Sequence, residues 1–245
     1  MHMSGLHQAH QNWPGFAPWM AVVITLVFTA AARWVRGVSR SGAIAGAAVC
    51  FILSLYAGPG GVLALVSVFA LAWTTTRFGY QRKRTLGTAE KTDGRTASQV
   101  LANLSIAAIF VGLFGVTGFP FFLLGMSAAL AEAAADTVSS ELGQARNEKA
   151  RLITTWEEVS AGTDGGITGV GTLGGILAAV LVGSVCVMSG LLPAHELSLC
   201  VVAAVFGMMA DSYMGALLER RRLLNNDMVN FLGTLLAAAV AIALG

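Results

Sequence analysis

The sequence predicts an all-α fold: a polytopic transmembrane helical bundle of about eight spans with both termini outside. Three observations carry this. Hydrophobic residues fill 56% of 245 positions and charged residues only 11%, against the roughly 25% charged with which a soluble domain covers its surface. Apolar stretches of spanning length, about 20 residues with roughly 17 tolerated, recur from residue 17 onward. The cations all fall in alternate connections between those stretches.

The spans predicted in order are 17–34, 41–57, 61–77, 98–117, 119–138, 168–190, 197–218 and 228–244. Gly58-Pro59-Gly60-Gly61 makes the turn between the second and third, Gly118-Phe119-Pro120 that between the fourth and fifth, and Pro193 breaks the chain before the seventh. Strands are not expected, because no period-2 alternation bounded by turns recurs. Residues 1–16 form a polar N-terminal tail carrying His2, His7 and His10, and residues 17–245 form a single transmembrane domain. The tail is not expected to be a cleavable signal, since the chain's first cation, Arg33, follows the first apolar stretch. Cys50, Cys186 and Cys200 sit in apolar runs without metal-type spacing and read as small buried hydrophobes.

With eight spans, all 15 Lys and Arg residues fall at the odd-numbered connections. They are Arg33, Arg36 and Arg40; then Arg77 to Arg95; then Arg146, Lys149 and Arg151; then Arg220, Arg221 and Arg222. The positive-inside rule puts those connections in the cytoplasm, expected of a protein in the cell's inner membrane. Of 13 acidic residues only Glu196 falls on the outer side. The net charge of +2 is uninformative beside this asymmetry. Any chemistry belongs to the cytoplasmic face, and no nucleic-acid partner is expected.

Candidate chemistry begins where the fifth span ends, at Glu132 and Asp136. Four residues apart, they share a helix face about 6 Å apart along the axis. A carboxylate near hydrocarbon depth costs several kcal/mol, of order 3, unless paired, protonated or hydrated. The seventh span ends Asp211-Ser212, echoing Asp136-Thr137, and both helices run outside to inside. Two carboxylates at matched depth suit Mg²⁺, which takes one or two carboxylates and completes its octahedron with water and phosphate oxygens. A salt bridge from Asp211 to Arg220–Arg222 is the structural alternative.

Gly162-Thr163-Asp164-Gly165-Gly166 is echoed as Gly171-Thr172-Leu173-Gly174-Gly175. Bare glycine lets backbone N–H groups approach an anion, and a following helix N-terminus favours negative charge. The first repeat, in a loop, reads as a phosphate cradle; the second, inside the sixth span, reads equally as close helix packing. Gly169-Val-Gly171-Thr-Leu-Gly174 matches the dinucleotide fingerprint without its preceding strand, so that reading is discarded. Asn225, Asn226, Asp227 and Asn230 precede or open the eighth span, either as helix caps or as part of the same polar site. Lys91 and Arg95 belong to a loop basic enough for phosphates, although inner loops are ordinarily basic.

At these residues the chain resembles an integral-membrane family that includes transmembrane protein 19 and the plant phytyl-phosphate kinase of tocopherol synthesis. The resemblance runs from about residue 40 to the end. It rests on Leu86-Gly87, Glu90, Gly94-Arg95 and Gln99 to Asn103, on Ala134 to Gly143, on Gly162 to Thr168 with Gly171-Thr172, on Asp211-Ser212 with Gly215-Ala216, and on Asn226 to Asn230. Asp164 departs from the pattern, standing where Asn is expected.

The resemblance implies a kinase that extends an isoprenoid (phytyl or prenyl) monophosphate to the diphosphate, with CTP as phosphoryl donor and Mg²⁺ as cofactor. Asp136 and Asp211 would be the catalytic and metal-holding pair, with Glu132 and Asp227 as further metal candidates. Lys91, Arg95, Gly162, Thr163, Gly165, Gly166 and Asn226 would bind the nucleotide. The partners are then an isoprenoid lipid phosphate, a nucleoside triphosphate and membrane lipid; a homo-oligomer is left open. Two other classes stay open: cytidylyl transfer to a lipid phosphate, and a transporter using the intramembrane carboxylates. Against transport, no span carries an ionisable residue in its outer half, whereas a through-path needs polar groups on both sides of the midplane.

Overall fold

The computed structural model describes residues 17–146 and 149–245; the tail at 1–16, with its three histidines, lies outside the described residues. The helices are α1 (Pro18–Trp34), α2 (Arg40–Arg77), α3 (Tyr80–Leu86), α4 (Ala97–Thr117), α5 (Phe121–Ala145), α6 (Gly169–Met188), α7 (Leu197–Met214) and α8 (Asn226–Leu244). A π-turn, Gly215–Glu219, prolongs α7.

Although α2 counts 38 residues, Gly58 breaks it with φ 55° and ψ −148°. That backbone is open to glycine and costly for other residues, and Pro59 follows it without an N–H to continue the ladder. The chain reverses here. A Cβ placed on Gly61 would stand 2.9 Å from the Leu53 carbonyl oxygen, and Gly37 lies against Phe69. A straight helix would carry Phe69 about 40 Å from the start of α2. Limbs 40–57 and 59–77 are thus separate crossings, so that with α1 and α4 to α8 the described residues form eight apolar limbs. The chain is a polytopic membrane helical bundle.

α5 is the hub. It packs against α2, α4, α6, α7 and α8, and its 124–135 stretch is buried throughout. Five alanines between 129 and 135 let the neighbours approach. Against α6 the approach is closest: a Cβ on Gly171 would meet the Ser139 carbonyl oxygen at 2.6 Å, and one on Gly175 the Ala135 carbonyl oxygen at 2.8 Å. Large apolar side chains point outward instead, among them Leu26, Ile44, Leu63, Val116, Leu173 and Val202, where lipid replaces water.

Every limb that begins at the cationic face is capped by a side chain. Ser39 accepts from Gly42 N–H, Thr96 from Gln99 N–H, Thr168 from Gly171 N–H and Asn225 from Met228 N–H. Limbs α1, α5 and α7, which begin at the other face, have no side-chain cap. Caps satisfy orphan N–H groups at about 1 kcal/mol each.

Two features of the cationic face depart from the sequence expectation. The connection after α5 holds a three-stranded antiparallel sheet of order β2-β1-β3: β1 (Ala150–Leu152), β2 (Glu158–Val159) and β3 (Gly166–Ile167). Strands of two or three residues are too short to show period-2 alternation. The sheet is held by packing, since Leu152, Ile153 and Ile167 cluster with Ala216 and Met209 at the end of α7. At its outer edge Lys149 bonds Glu158 at 2.6 Å, which holds that exposed carboxyl below its ordinary range.

The second departure is Lys83, expected as one more loop cation, which is wholly buried. Its ammonium donates to the Thr75 and Thr76 carbonyls at 2.9 and 2.6 Å and to Glu141 Oε2 at 2.5 Å. Thr76 Oγ1 donates to the other Glu141 oxygen at 2.7 Å. The cation thereby closes the C-terminus of α2, where helix dipole and carbonyls favour positive charge, and ties it to α5.

Single cysteines at Thr85 and His195, both exposed, test the topology in a background without Cys50, Cys186 and Cys200. Thr85→Cys is expected to react with impermeant thiol reagents from the cytoplasm and His195→Cys from outside. Labelling of both from one side would overturn the crossing number.

Candidate functional site

The ends of α5 and α7, the starts of α4, α6 and α8, and the Gly162–Gly166 loop enclose a polar pocket of about 230 Å³ at the cationic face. Asp136 from α5 and Asp211 from α7 both line it. The predicted matched depth thus places the two acids in one pocket wall. Glu219, from the π-turn, is a further carboxyl in the wall, as are Asp164, Glu90 and Glu141.

Glu132 lies one turn deeper than Asp136, buried and behind the wall. Room for it is made by two glycines: a Cβ on Gly207 would stand 2.7 Å from Glu132 Cγ, and one on Gly233 2.6 Å from Glu132 Oε1. The Gly233 Cβ would also stand 3.5 Å from Asp211 Oδ2, so bare helix α8 lets the two acids flank it. Glu132 Oε1 and Asp211 Oδ2 are buried without a hydrogen-bond partner among the described residues. A buried carboxylate so placed requires a counter-charge or a proton. Among the described residues no three His, Cys, Asp or Glu side chains form a ready metal cage. Asp211, with its unpartnered oxygen, and Asp136, which shares the pocket wall with it, fit Mg²⁺, which leaves most of its positions to water and phosphate.

The cation nearest this cluster is Arg95, whose guanidinium acts on Asp136 and reaches Thr137 Oγ1 at 3.5 Å. Its position is built by backbone. Arg95 N–H donates to the Gly37 carbonyl at 3.1 Å, and Ser39 N–H to the Arg95 carbonyl at 2.9 Å. Gly42 leaves the space that the Arg95 carbonyl oxygen occupies, and Gly94 lies flat on Gly37 and Val38. Asp211 makes no ion pair with Arg220–Arg222; among the described residues the four ion pairs are elsewhere.

Three helix N-termini open onto the pocket through Gln99, Thr168 and Asn226. Their positive dipole ends offset the acidic wall and favour an anion, such as phosphate, bound with a metal. Asn225 serves as the cap of α8 while Asn226 and Asn230 line the pocket, so both readings of that segment apply. Gly162, Thr163, Gly165 and Gly166 line the pocket too. Gly165 is also a packing residue. It has φ +75°, and an added Cβ would stand 2.5 Å from the Ala216 nitrogen. Lys91 and Asp227 do not line the pocket: Lys91 is exposed beside a second, apolar cavity, and Asp227 acts on Glu219 only through space.

Glu90, Gln99, Asn103, Ser139, Ser140 and Glu219 line the pocket without having been singled out as site residues. Gln99 and Asn103 carry a signal: two polar residues four apart at the start of an apolar span share a face. Gln99 donates to Glu90 Oε2 at 2.9 Å, and Asn103 to the Gln99 carbonyl at 2.9 Å. Glu219 carries none, because the adjoining Arg220–Arg222 makes it look like a loop charge.

The glycines separate by what they touch. Gly169→Ala, with nothing within 4 Å of the new methyl, is expected to leave the melting temperature unchanged. Gly175→Ala, whose methyl meets Met208 Sδ and, at 2.8 Å, the Ala135 carbonyl oxygen, should cost about 1–3 kcal/mol. Gly174→Ala meets side chains alone, the flexible end of Leu142 at 2.6 Å and Val138 at 3.4 Å, and should cost less. Gly165→Ala should lower both ligand affinity and stability. Melting curves in detergent check the order; equal effects at 169 and 175 would contradict the packing.

Fold and site together define a multi-pass membrane protein with an acid-lined pocket at its cationic face, onto which three helix N-termini open. The chain belongs to the integral membrane protein family DUF92, whose family model matches residues 23–238. It is 36% identical to an uncharacterized membrane protein of Methanocaldococcus jannaschii over 228 residues, covering 91% of this chain and 92% of that one. It is 33% identical to Protein VTE6, chloroplastic, of Arabidopsis thaliana over 218 residues, covering 85% of this chain and 65% of that one. Protein PGR of the same plant is 30% identical over 232 residues, covering 84% and 80%. No solved structure matches.

Proposed function

We propose that this protein is a membrane-embedded, nucleotide-dependent kinase that converts an isoprenoid monophosphate to the diphosphate at the cytoplasmic face, with CTP as donor. The observation that carries the reading is the Asp136–Asp211 pair in a pocket ringed by helix N-termini and the Gly162–Gly166 loop. The family resemblance to phytyl-phosphate kinase supports it, and VTE6 is among the relatives.

The acceptor is already an anion, so no strong general base is required. An oxygen of the acceptor phosphate attacks the γ-phosphorus of CTP, the bond to the β–γ bridging oxygen breaks, and CDP leaves. Catalysis then rests on positioning and charge neutralisation. Asp136 and Asp211 would hold Mg²⁺, which when bound neutralises charge on the phosphate oxygens. The Gly162–Gly166 backbone and the N-termini of α6 and α8 bind the nucleotide phosphates. Arg95 holds the acceptor phosphate, and the sheet covering the pocket excludes water.

Purified protein incubated with Mg²⁺, labelled CTP and phytyl or geranylgeranyl phosphate is expected to yield the prenyl diphosphate and CDP. Release of pyrophosphate with a cytidylylated lipid would replace the kinase by cytidylyl transfer. No turnover of either kind would refute the reading.

A further inference from the structure

A second cavity, of about 500 Å³, lies beside the polar pocket among α1, both limbs of α2, and α4. Its walls are apolar along their depth. From Thr76 at the membrane face to Leu65, both in its lining, the second limb of α2 runs eleven residues, about 16 Å, or roughly half the 30 Å hydrocarbon core. Glu90, Arg95, Gln99, Asn103 and Thr137 line both cavities, so the two meet at the Arg95 side chain. Arg36, Lys91 and Arg95 line the mouth of the apolar one. An apolar slot of this depth, parallel to the lipid chains and ending in cations beside an acidic metal-type pocket, has the polarity profile of a lipid with an anionic head.

We propose that this groove is the tail site of the isoprenoid phosphate, with the chain entering from the bilayer between α1 and α4 and the phosphate held at Arg95. The assignment rests on the kinase reading for the identity of the lipid. Two observations favour a single lipid tail over a protein helix as occupant. The groove is continuous with the polar pocket, and α1 is held to the bundle chiefly through α2, leaving the seam toward α4 as the route from the membrane. Gly46 determines how far the tail reaches: it lines the groove, and a Cβ there meets nothing within 4 Å. A larger side chain at 46 therefore projects into the groove without striking the protein.

The test uses the full-length protein in nanodiscs and a geranylgeranyl monophosphate carrying a terminal diazirine, with crosslinks mapped by mass spectrometry. Crosslinks are expected on α1, the second limb of α2 and α4, at Thr29, Val68 or Leu104. Unlabelled geranylgeranyl phosphate should compete at least tenfold better than geranylgeraniol, and Arg95→Gln should erase that difference. Gly46→Phe, and the milder Gly46→Leu, should cut the crosslink yield at least fivefold. The same replacement at Gly112, on α4 outside the groove and also with nothing within 4 Å, should not. Crosslinks on α6, α7 or α8 instead, or none above background, would overturn the tail site even where turnover is intact. Groove crosslinks in a protein that turns over no prenyl phosphate would leave the tail site standing and remove the kinase reading.

Discussion

Asp136→Asn and Asp211→Asn are each expected to reduce turnover at least about 10³-fold, on the order of 4 kcal/mol of transition-state stabilisation, while the protein stays folded and inserted. Each substitution keeps the shape of the side chain and removes the charge that would hold a divalent cation. The two carboxyls line the same pocket, so loss of either one removes half of the pair that would share the metal. Stability should move the other way. Removing one of two adjacent buried carboxylates relieves like-charge repulsion and desolvation, so the melting temperature without ligand should hold or rise. Mg²⁺ with nucleotide should stabilise the wild type by mass action, and that increment should vanish in both variants. Near wild-type turnover in both variants would sink the carboxylate–Mg²⁺ mechanism. A fall in the unliganded melting temperature would instead make the pair structural.

Lys83→Met should be the most destabilising single change at the cationic face, by about 3–5 kcal/mol. The ammonium is fully buried and makes three short hydrogen bonds, two to the last carbonyls of α2 and one to Glu141. Its removal strands a largely buried carboxylate, whose side chain is 13% exposed, with only Thr76 as donor. Most of the cost is that uncompensated charge, so Lys83→Met with Glu141→Gln should recover a large part of it. Unfolding in detergent, measured as a double-mutant cycle, reads the coupling. A Lys83→Met loss below about 1 kcal/mol, the range of surface pairs, would show that the pair contributes little.

These residues mark where linear reading succeeds and where it stops. The shared placement of Asp136 and Asp211 was legible because two Asp-[Ser/Thr] pairs end two spans of the same direction, and depth in a membrane follows from position along a span. Lys83, Glu219 and the packing of Gly165 against Ala216 were not. A loop cation, a loop acid and a loop glycine look alike whether they face water or a neighbour. Which they face depends on contacts such as Lys83 with Glu141, 58 residues away. Gly207 and Gly233 were equally silent, since each makes room for an acid on another helix.

The sequence by itself determined that this protein crosses the membrane repeatedly, where the chain turns, and that its cations share one face. Composition, the Gly-Pro breaks and the alternation of cations are local properties that no folding can rearrange. It also determined which residue types were available near that face for chemistry. Only the tertiary structure decided which side of each span is inside. A span apolar all round carries no amphipathic stripe to orient it, and interior here means contact with other helices through alanine and glycine. The reversal at Gly58 sets the two limbs of α2 beside α1 and α4 and so creates the apolar groove. Close packing of α5 on α6 and α7 brings the two aspartates together. Both outcomes depend on pairs of residues far apart in the chain, whose fit is a matter of shape that the order of residues does not spell out.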